Sequence, residues 1–369
     1  MNLLFVIDNL GSGGAQRQMV NLAKGMQSRG HYVELFTYYP ENHYQAMMDE
    51  VAIPVFMQPK RSRFSISPLL ALRSQMRQRH FDVVLSFLNT PNFYAEISCI
   101  GTHKSKLVVS ERFMYPPGKL PVKLRILQEF HRFADAITVN SHHQRNRMEK
   151  EFPWMAKKLH TIYNGFDLDT FQPAATKFSP AGTLSLLAIA SVAYKKNSLN
   201  LARAVALCKA RYGIEVKVDW VGKHYVSGER TRPKEETDRF LKEHGISNLW
   251  RWLGERTDIP ELLATHDALV HPSFFEGLPN VVCEALACGR PVLVSRVCDH
   301  PLLVQDGISG YLFDPNSPDD IARAIHMFSG IDLVQRRKME ESARDYAERH
   351  LSLNRYLTEY EDLFYTMLA

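Results

Sequence analysis

This 369-residue sequence lacks several features that would place a protein in a particular class. No apolar run reaches the roughly 20 residues that a membrane-spanning helix requires. The first residues carry neither a basic segment nor a small-residue cleavage site, so we expect residues 3–7 to form a strand and not part of a secretion signal. Internal repeats and low-complexity tracts are missing too. These absences favour a globular protein of the cytoplasm.

Metal-ligand patterns are missing as well. The five cysteines are odd in number and do not fall at the spacing of a metal site. They are Cys99, Cys208, Cys283, Cys288 and Cys298. Since His, Asp and Glu form no such pattern either, we expect reduced thiols, no metal and no cofactor.

Negative charge is scarce in the first part of the chain. Residues 1–164 contain 21 Lys and Arg against 12 Asp and Glu, a net charge of +9, whereas the rest contains 24 against 28, a net charge of −4. This asymmetry predicts that the first part meets an anionic partner. Helix-turn-helix, zinc-finger and aromatic-rich RNA-binding motifs are missing, so we expect no nucleic-acid partner.

Apolar runs that alternate with amphipathic segments predict an α/β fold. The chain is too long for one core and suits two domains. It begins with a strand, a glycine-rich loop around Gly14 and a helix in series. The loop lacks the third glycine of a dinucleotide-binding fingerprint, because Gln16 stands in that place.

The stretch from residue 268 to residue 294 carries the strongest functional signal. Residues 268–270 suit a buried parallel strand, and Gly277, Leu278, Pro279 and Asn280 suit a turn. Asn280 is also a suitable N-cap for a helix over residues 281–288, which Gly289 ends. Because ligands bind at the carboxyl ends of strands in an open parallel sheet, we expect this turn to face a ligand.

Two carboxylates flank that turn. Glu276 precedes it, and Glu284 lies about one turn inside the helix. Amide groups after Gly277 and the positive end of the helix dipole suit a diphosphate. Glu284 then suits a ribose diol, and Glu276 suits the hydroxyls of a sugar on that diphosphate. Two solvated glutamates beside a helix end are the alternative, and the Gly-Leu-Pro turn between them favours the site.

This stretch resembles the E-x7-E signature of retaining glycosyltransferases of family 4, which have the GT-B fold, and further matches recur from residue 1 to about residue 315. The resemblance implies two doubly wound, Rossmann-like α/β domains that face each other across a cleft. It also implies transfer of a sugar from a UDP- or GDP-sugar to a hydroxyl of a glycan or lipid-linked acceptor, with retention at the anomeric carbon.

The resemblance extends to individual positions. Lys196 matches a lysine on the diphosphate and, with Glu276, is expected to be catalytic. Ser191 stands where an arginine is usual. Glu111 and Arg112 stand where many members have a histidine near the sugar, and they either contact the acceptor or form an ion pair that holds the loop. The expected donor-binding residues are Gly14, Ser191, Gly254, Arg256, Gly277, Leu278, Pro279, Asn280 and Glu284.

By the same resemblance we expect an acceptor-side domain over residues 1–164, a hinge over 165–182 and a donor-binding domain over 183–350. A final helix over 351–369 is expected to cross back to the first domain. Two alternatives are left open, a nucleotide-sugar epimerase of the same architecture and a non-catalytic nucleotide-sugar-binding protein. An epimerase would convert the free sugar nucleotide without any acceptor.

Two basic segments of the first domain indicate where an acceptor is met. One is the tract Lys60, Arg61, Ser62 and Arg63, and the other is a predicted amphipathic helix over 120–133. The apolar residues of this helix are Leu120, Leu124, Leu127 and Phe130, flanked by Lys119, Lys123, Arg125 and Arg132. They either face the core or contact lipid. We expect the second, a peripheral contact with the cytoplasmic face of an anionic membrane in a bacterial cell-surface polysaccharide pathway.

Overall fold

The computed structural model describes residues 1–62, 65–101, 105–112, 118, 120–174, 179, 182–224 and 228–369. Arg63 and Lys119, together with residues 175–178, 180 and 181 of the expected hinge, lie outside the described residues. The chain divides into two units. Unit 1 comprises Met1–Gly165 and Leu353–Ala369, and unit 2 comprises Phe166–Ser352.

Each unit is built on one sheet in which all neighbouring strands pair in parallel. The strands of unit 1 are β1 (Asn2–Val6), β2 (Tyr32–Thr37), β3 (Val55–Met57), β4 (Val83–Phe87), β5 (Lys106–Glu111), β6 (Ala136–Val139) and β7 (Leu159–Thr161). The strands of unit 2 are β8 (Thr183–Ile189), β9 (Glu215–Val221), β10 (Trp250–Gly254), β11 (Ala268–His271), β12 (Val292–Ser295) and β13 (Gly310–Phe313). The predicted α/β class with parallel sheets is confirmed.

The strand order reverses once in each sheet. Unit 1 has the order β3-β2-β1-β4-β5-β6-β7, and unit 2 has the order β10-β9-β8-β11-β12-β13. The reversal lies between β1 and β4 in unit 1 and between β8 and β11 in unit 2. Loops that leave the two strands at such a point run in opposite directions and leave a crevice between them, which is where open α/β sheets bind ligands.

Helices follow the strands as connections. They are α1 (Gly14–Ser28), α2 (Gln45–Asp49), α3 (Ser67–Gln78), α4 (Asn89–Cys99), α5 (Val122–Glu129), α6 (His142–Glu151), α7 (Ser198–Tyr212), α8 (Arg232–Glu243), α9 (Ile259–Thr265), α10 (Asn280–Ala287), α11 (His300–Leu303), α12 (Pro318–Ser329), α13 (Leu333–His350) and α14 (Leu353–Leu368). Within the described ranges, none of them combines the length and apolar character that crossing a membrane requires.

Burial explains why the strand sequences are continuous apolar runs rather than alternating ones. Leu3, Leu4, Phe5 and Val6 of β1 are all 0% exposed, because helices cover both faces of the sheet. The same holds in unit 2, where all four residues of β12 are buried. With both faces covered, the strand ends and their loops are the parts of each sheet that remain open to a ligand.

The C-terminal helix α14 packs in the core of unit 1. Its residues Tyr356, Tyr360 and Phe364 recur every four positions and are buried in the same cluster as the residues of β1. Gly25 of α1 permits the close approach, since a Cβ there would lie 2.3 Å from Leu357 Cδ2. Residues 166–352 are therefore inserted between two parts of the chain that form one unit.

Candidate active site

Two loops at the strand reversal of unit 2 carry the candidate reaction centre. Lys196 lies in the loop after β8 and Glu276 in the loop after β11, 80 residues further along the chain. The Lys196 ammonium donates a close hydrogen bond to Glu276 Oε1. The two side chains are only 15% and 10% exposed, so this ion pair lies in a site with little water. The structure thus brings together the two residues that the sequence predicted to be catalytic.

Hydrogen bonds to three backbone carbonyls hold the loops around this pair. Asn197 adopts a left-handed conformation with a φ of 62°, which Asn tolerates better than most residues. Its amide donates to the carbonyls of Pro272 at 3.0 Å and Pro315 at 2.8 Å. The Phe274 N–H donates to the Lys195 carbonyl at 2.9 Å. In the Lys-Asn pair the lysine therefore supplies the charge, and the asparagine sets where its loop lies.

The Glu276 carboxylate is ionised in this setting. Burial alone would raise its pKa, but the Lys196 charge and a hydrogen bond from His271 outweigh burial and hold the pKa of Glu276 well below its usual value. His271 Nε2 lies 3.2 Å from Glu276 Oε1. Burial lowers the pKa of His271, so its ring is neutral. No sequence pattern identified His271, because this contact arises only when the loop turns back over the strand end.

Helix α10 begins one residue earlier than predicted. It spans Asn280–Ala287, so Asn280 is its first residue, and no side chain caps this end. The prediction of Asn280 as the N-cap was wrong, because Pro279 (φ −79°, ψ 98°) already supplies the extended residue that precedes a helix. The turn from Gly277 to Pro279 therefore leads directly into α10, and the positive end of the helix lies beside the loop of Glu276.

Both glutamates of the signature are buried. Taken over the whole residue, side chain and backbone together, Glu276 is 8% exposed and Glu284, on the second turn of α10, is 4% exposed. This excludes the alternative of two solvated glutamates. Leu278 between them is buried as well, at 7% exposure. Gly289 follows the helix in a left-handed conformation with a φ of 64°, in agreement with the predicted helix end.

The other predicted donor-binding residues lie on separate elements. Ser191 is exposed in the loop after β8. Gly254 ends β10 with a φ of 70°, and Arg256 follows it in an exposed pair with Asp258, with Nε 2.8 Å from Oδ1. Gly14 is the exposed first residue of α1 in unit 1. In unit 2, the residues predicted to contact the donor thus all lie at or after the carboxyl end of a strand.

Glu111, one of the two predicted acceptor residues, is part of a buried ionic cluster. It ends β5 at 1% exposure, accepts a hydrogen bond from Asn92 Nδ2 at 3.1 Å and lies 3.3 Å from His131 Nε2. The other ring nitrogen of His131 lies 2.5 Å from Glu96 Oε1. Burial alone would lower the pKa of His131, but the two carboxylates outweigh it and raise the pKa to about 10, so the ring is charged.

Arg112, the other predicted acceptor residue, also makes internal contacts. Its Nη1 donates to Asn164 Oδ1 at 2.5 Å, and its Nη2 donates to the Tyr360 hydroxyl at 2.9 Å. The guanidinium lies 3.7 Å from the centre of the Phe87 ring. Glu111 and Arg112 thus have separate partners inside unit 1. The structure shows no ion pair between the two residues, and Arg112, unlike Glu111, is only half-buried.

Two family descriptions match the sequence. Glycosyltransferase Family 4 matches residues 12–170, and Glycosyl transferases group 1 matches residues 183–329. Together they span well over half of the chain. The chain belongs to glycosyltransferase family 4. Within this family 4 chain, the first match falls almost wholly in unit 1 and the second wholly in unit 2.

Curated relatives agree with this membership. The family 4 chain is 28% identical over 244 residues to D-inositol 3-phosphate glycosyltransferase from Corynebacterium kroppenstedtii, which covers 62% of this chain and 53% of the relative. It is 25% identical over 298 residues to N-acetylgalactosamine-N,N'-diacetylbacillosaminyl-diphospho-undecaprenol 4-alpha-N-acetylgalactosaminyltransferase from Campylobacter jejuni, which covers 78% of each chain. The matched region thus spans about half the length of the first relative and more of the second.

A solved structure shows the same fold. Alr3699/HepE from Anabaena, in complex with UDP and glucose, matches with a TM-score of 0.84 at 20% identity, over 99% of this chain and 100% of that one. The predicted GT-B fold is confirmed for the family 4 chain.

The buried pair predicts a pH-dependent stability. Because the folded-state pKa of Glu276 is depressed, the pair stabilises unit 2 above the unfolded pKa, and this contribution is lost as the pH falls through the folded pKa. Lys196→Met leaves a buried carboxylate without its cation and is expected to cost about 3 kcal/mol at neutral pH, and less in acid. Thermal unfolding from neutral to acidic pH measures the difference.

The double variant Lys196→Met/Glu276→Gln is the control for that experiment. It removes both charges, so it is expected to recover most of the stability at neutral pH. A stability difference between Lys196→Met and the wild type that does not change with pH would contradict the assignment of the ion pair.

Proposed function

We propose that this protein transfers a sugar from a UDP- or GDP-sugar to a hydroxyl of a glycan or lipid-linked acceptor, with retention at the anomeric carbon, in the synthesis of a bacterial cell-surface polysaccharide. The observation that carries the proposal is the buried Lys196–Glu276 pair at the strand reversal of unit 2, beside the first turn of α10. A cation and a helix N-terminus suit a diphosphate, and a buried carboxylate next to them suits sugar hydroxyls.

Each group has its own part in the proposed reaction. Lys196 and the positive end of α10 stabilise the charge that develops on the departing diphosphate. Glu276 accepts hydrogen bonds from the transferred sugar and so orients its anomeric carbon. Glu284 accepts from the ribose diol. The family resemblance favours a front-face displacement, in which the acceptor hydroxyl attacks on the side from which the diphosphate leaves.

The comparisons support the donor and acceptor classes. The HepE structure holds UDP and glucose, which favours a UDP-sugar donor. The name of the Campylobacter relative specifies a sugar on diphospho-undecaprenol, which is a lipid-linked acceptor. The Corynebacterium and Campylobacter relatives are both named as transferases, so they lend no support to the epimerase or to the non-catalytic alternative.

A panel of UDP- and GDP-sugars identifies the donor and tests the reaction type. The true donor is expected to raise the Tm most, because it binds the folded protein and not the unfolded chain. Incubation with that donor and no acceptor then distinguishes the alternatives. Accumulation of an epimerised sugar nucleotide would overturn the transferase proposal, whereas transfer to a lipid-linked glycan after its addition is the expected result.

Substitutions of the two glutamates are expected to change different kinetic constants. Glu276→Gln keeps the side-chain volume and is expected to lower kcat about 100-fold with nearly unchanged nucleotide binding, because Glu276 acts on the reacting sugar. Glu284→Ala is expected mainly to raise the donor KM, because Glu284 acts on the ribose. Steady-state kinetics with calorimetric UDP binding measure both. Equal loss of UDP binding in the two variants, with normal turnover at saturating donor, would refute the assignment.

Activity is expected without a divalent metal. Among the residues that the structure describes, no group of three or more His, Cys, Asp and Glu side chains is arranged to hold a metal ion. Lys196 and the helix end supply the positive charge that the diphosphate requires. The rate is therefore expected to be the same with and without EDTA. Loss of activity in EDTA with recovery on adding magnesium or manganese would contradict this.

A patch on unit 1 supports a peripheral contact with the cytoplasmic face of an anionic membrane. The expected contact residues Leu120, Leu124, Leu127 and Phe130 are half-buried. That choice of face was wrong, because Leu120 packs on the core of unit 1 and Phe130 stacks edge-on against Phe93. The neighbouring face instead exposes Val122, Ile126 and Phe133 by 75%, 55% and 50%. The basic residues Lys123, Arg125 and Arg132, all exposed, accompany it.

Sedimentation with vesicles tests this contact. Binding is expected to rise with anionic lipid, since each basic side chain near the surface contributes roughly 1 kcal/mol, and to fall as salt screens the charges. Val122→Ser/Ile126→Ser is expected to weaken it. Leu333→Ser/Val334→Ser is the matched control, because these α13 residues of unit 2 are 58% and 62% exposed. If the same fraction of the protein stayed in the supernatant with neutral and with anionic vesicles at low salt, the membrane contact would be refuted.

A further inference from the structure

Glu276 receives donors from two different elements on the same oxygen atom. Lys196 donates from the loop after β8, and His271 Nε2 lies 3.2 Å away at the end of β11. An ionised carboxylate only accepts hydrogen bonds, so the neutral His271 ring carries its proton on Nε2. The hydrogen bond from His271 therefore holds the carboxylate without adding a second positive charge to the site.

In the proposed reaction, the hydrogen bond from Lys196 to Glu276 is weakened. A donor diphosphate competes with Glu276 for the Lys196 ammonium and also brings its own negative charge close to the carboxylate. Both effects raise the pKa of Glu276, which Lys196 keeps low in the free protein. The titratable groups around this carboxylate are Lys195, Lys196, His271, Cys298 and His300. Of these, His271 is the neutral donor already bonded to it.

The His271 ring is fixed by the neighbouring strand end. It is 1% exposed and packs edge-on against the His300 ring, with centres 5.6 Å apart. His300 Nδ1 lies 2.7 Å from the Ser295 carbonyl, and the Ser295 hydroxyl donates to the Ser273 carbonyl at 2.6 Å. The Ser273 hydroxyl lies 3.1 Å from His271 Nε2. Because Nε2 carries one proton, Ser273 and Glu276 are alternative acceptors for it, and the charged carboxylate is the stronger one. The packed ring therefore keeps its N–H directed at Glu276 when Lys196 is engaged elsewhere.

We propose that His271 is a positioning residue for the proposed sugar transfer, whose Nε2–H keeps the Glu276 carboxylate charged and oriented while the donor diphosphate engages Lys196. The inference rests on the proposed function and adds to it a residue that acts through Glu276. It predicts a coupling between nucleotide binding and proton uptake, since any rise in the pKa of Glu276 on UDP binding draws a proton from solution.

The test compares His271→Leu, which removes the N–H, with His271→Gln, which keeps a side-chain N–H of similar reach. His266→Leu is the matched control, because His266 is also buried and lies 3.1 Å from a carboxylate, that of Asp219. Measured are kcat, donor KM and the pH profile of kcat. Calorimetric titration with UDP in two buffers of different ionisation enthalpy measures the protons taken up on binding.

His271→Leu is expected to lower kcat roughly tenfold to a hundredfold with little change in donor KM. Its acid limb is expected to move to higher pH, and UDP binding is expected to take up more protons at mildly acidic pH. His271→Gln is expected to return the acid limb and the proton uptake to their wild-type values. His266→Leu is expected to keep the wild-type pH profile. Should His271→Leu fail to fold, His271→Asn replaces it, because its shorter amide ends before the Nε2 position.

Two outcomes separate this inference from the function on which it rests. A pH profile and a proton uptake that are the same in His271→Leu and the wild type would overturn the positioning role and leave the transferase proposal standing. Failure of the wild-type protein to bind either UDP or GDP would overturn the proposed function and this inference with it.

Discussion

The reversal of strand order between β8 and β11 is the constraint on which the candidate site depends. Parallel pairing aligns the carboxyl ends of these neighbours, and the opposite directions of their outgoing loops keep the space between them open. Lys196 and Glu276 meet there although 80 residues separate them. Asn197 then ties the first loop to the carbonyl of Pro272 in the second. The same strands that form the core of unit 2 thus position both halves of the ion pair.

Stability alone does not explain why a fold contains a buried ion pair. Removing two charges from water costs more than their attraction returns unless further hydrogen bonds satisfy them, and an apolar pair of similar volume usually serves a core as well. Here the carboxylate has an additional donor in His271, and the helix dipole of α10 begins nearby. Groups that are held charged in a crevice with little water are what stabilisation of a departing diphosphate requires.

Unit 1 uses its buried charges differently. Glu111 and Arg112 follow each other at the end of β5, where side chains of an α/β sheet often meet a ligand. Glu111 instead joins His131 and Glu96 in an internal cluster, and Arg112 joins Asn164 and the Tyr360 hydroxyl of α14. These contacts link β5 to segments far away in the chain. Charged residues at a strand end therefore do not by themselves mark a binding site.

Local chemistry in the sequence determined the elements of this protein and most of the candidate site. Continuous apolar runs predicted buried parallel strands, because both faces of such a sheet are covered. Glu276, the turn after it, Glu284 and Gly289 were found from their spacing, since turn residues and a helix end constrain the backbone within a few positions. The Lys-Asn pair at 196 and 197 was found by family resemblance.

The tertiary structure alone decided which of these residues meet. His271 was missed, since its hydrogen bond to Glu276 depends on how far the loop turns back over the end of β11. The exposed face of α5 was predicted wrongly, because a helical repeat shows that one side is apolar but not which of two apolar sides packs against the rest of unit 1. Glu111 and Arg112 point inward for a similar reason, since their partners come from α4, α14 and the segment after α5. These contacts of Glu111 and Arg112 join residues from 19 to 248 positions apart, and only the packed chain determines them.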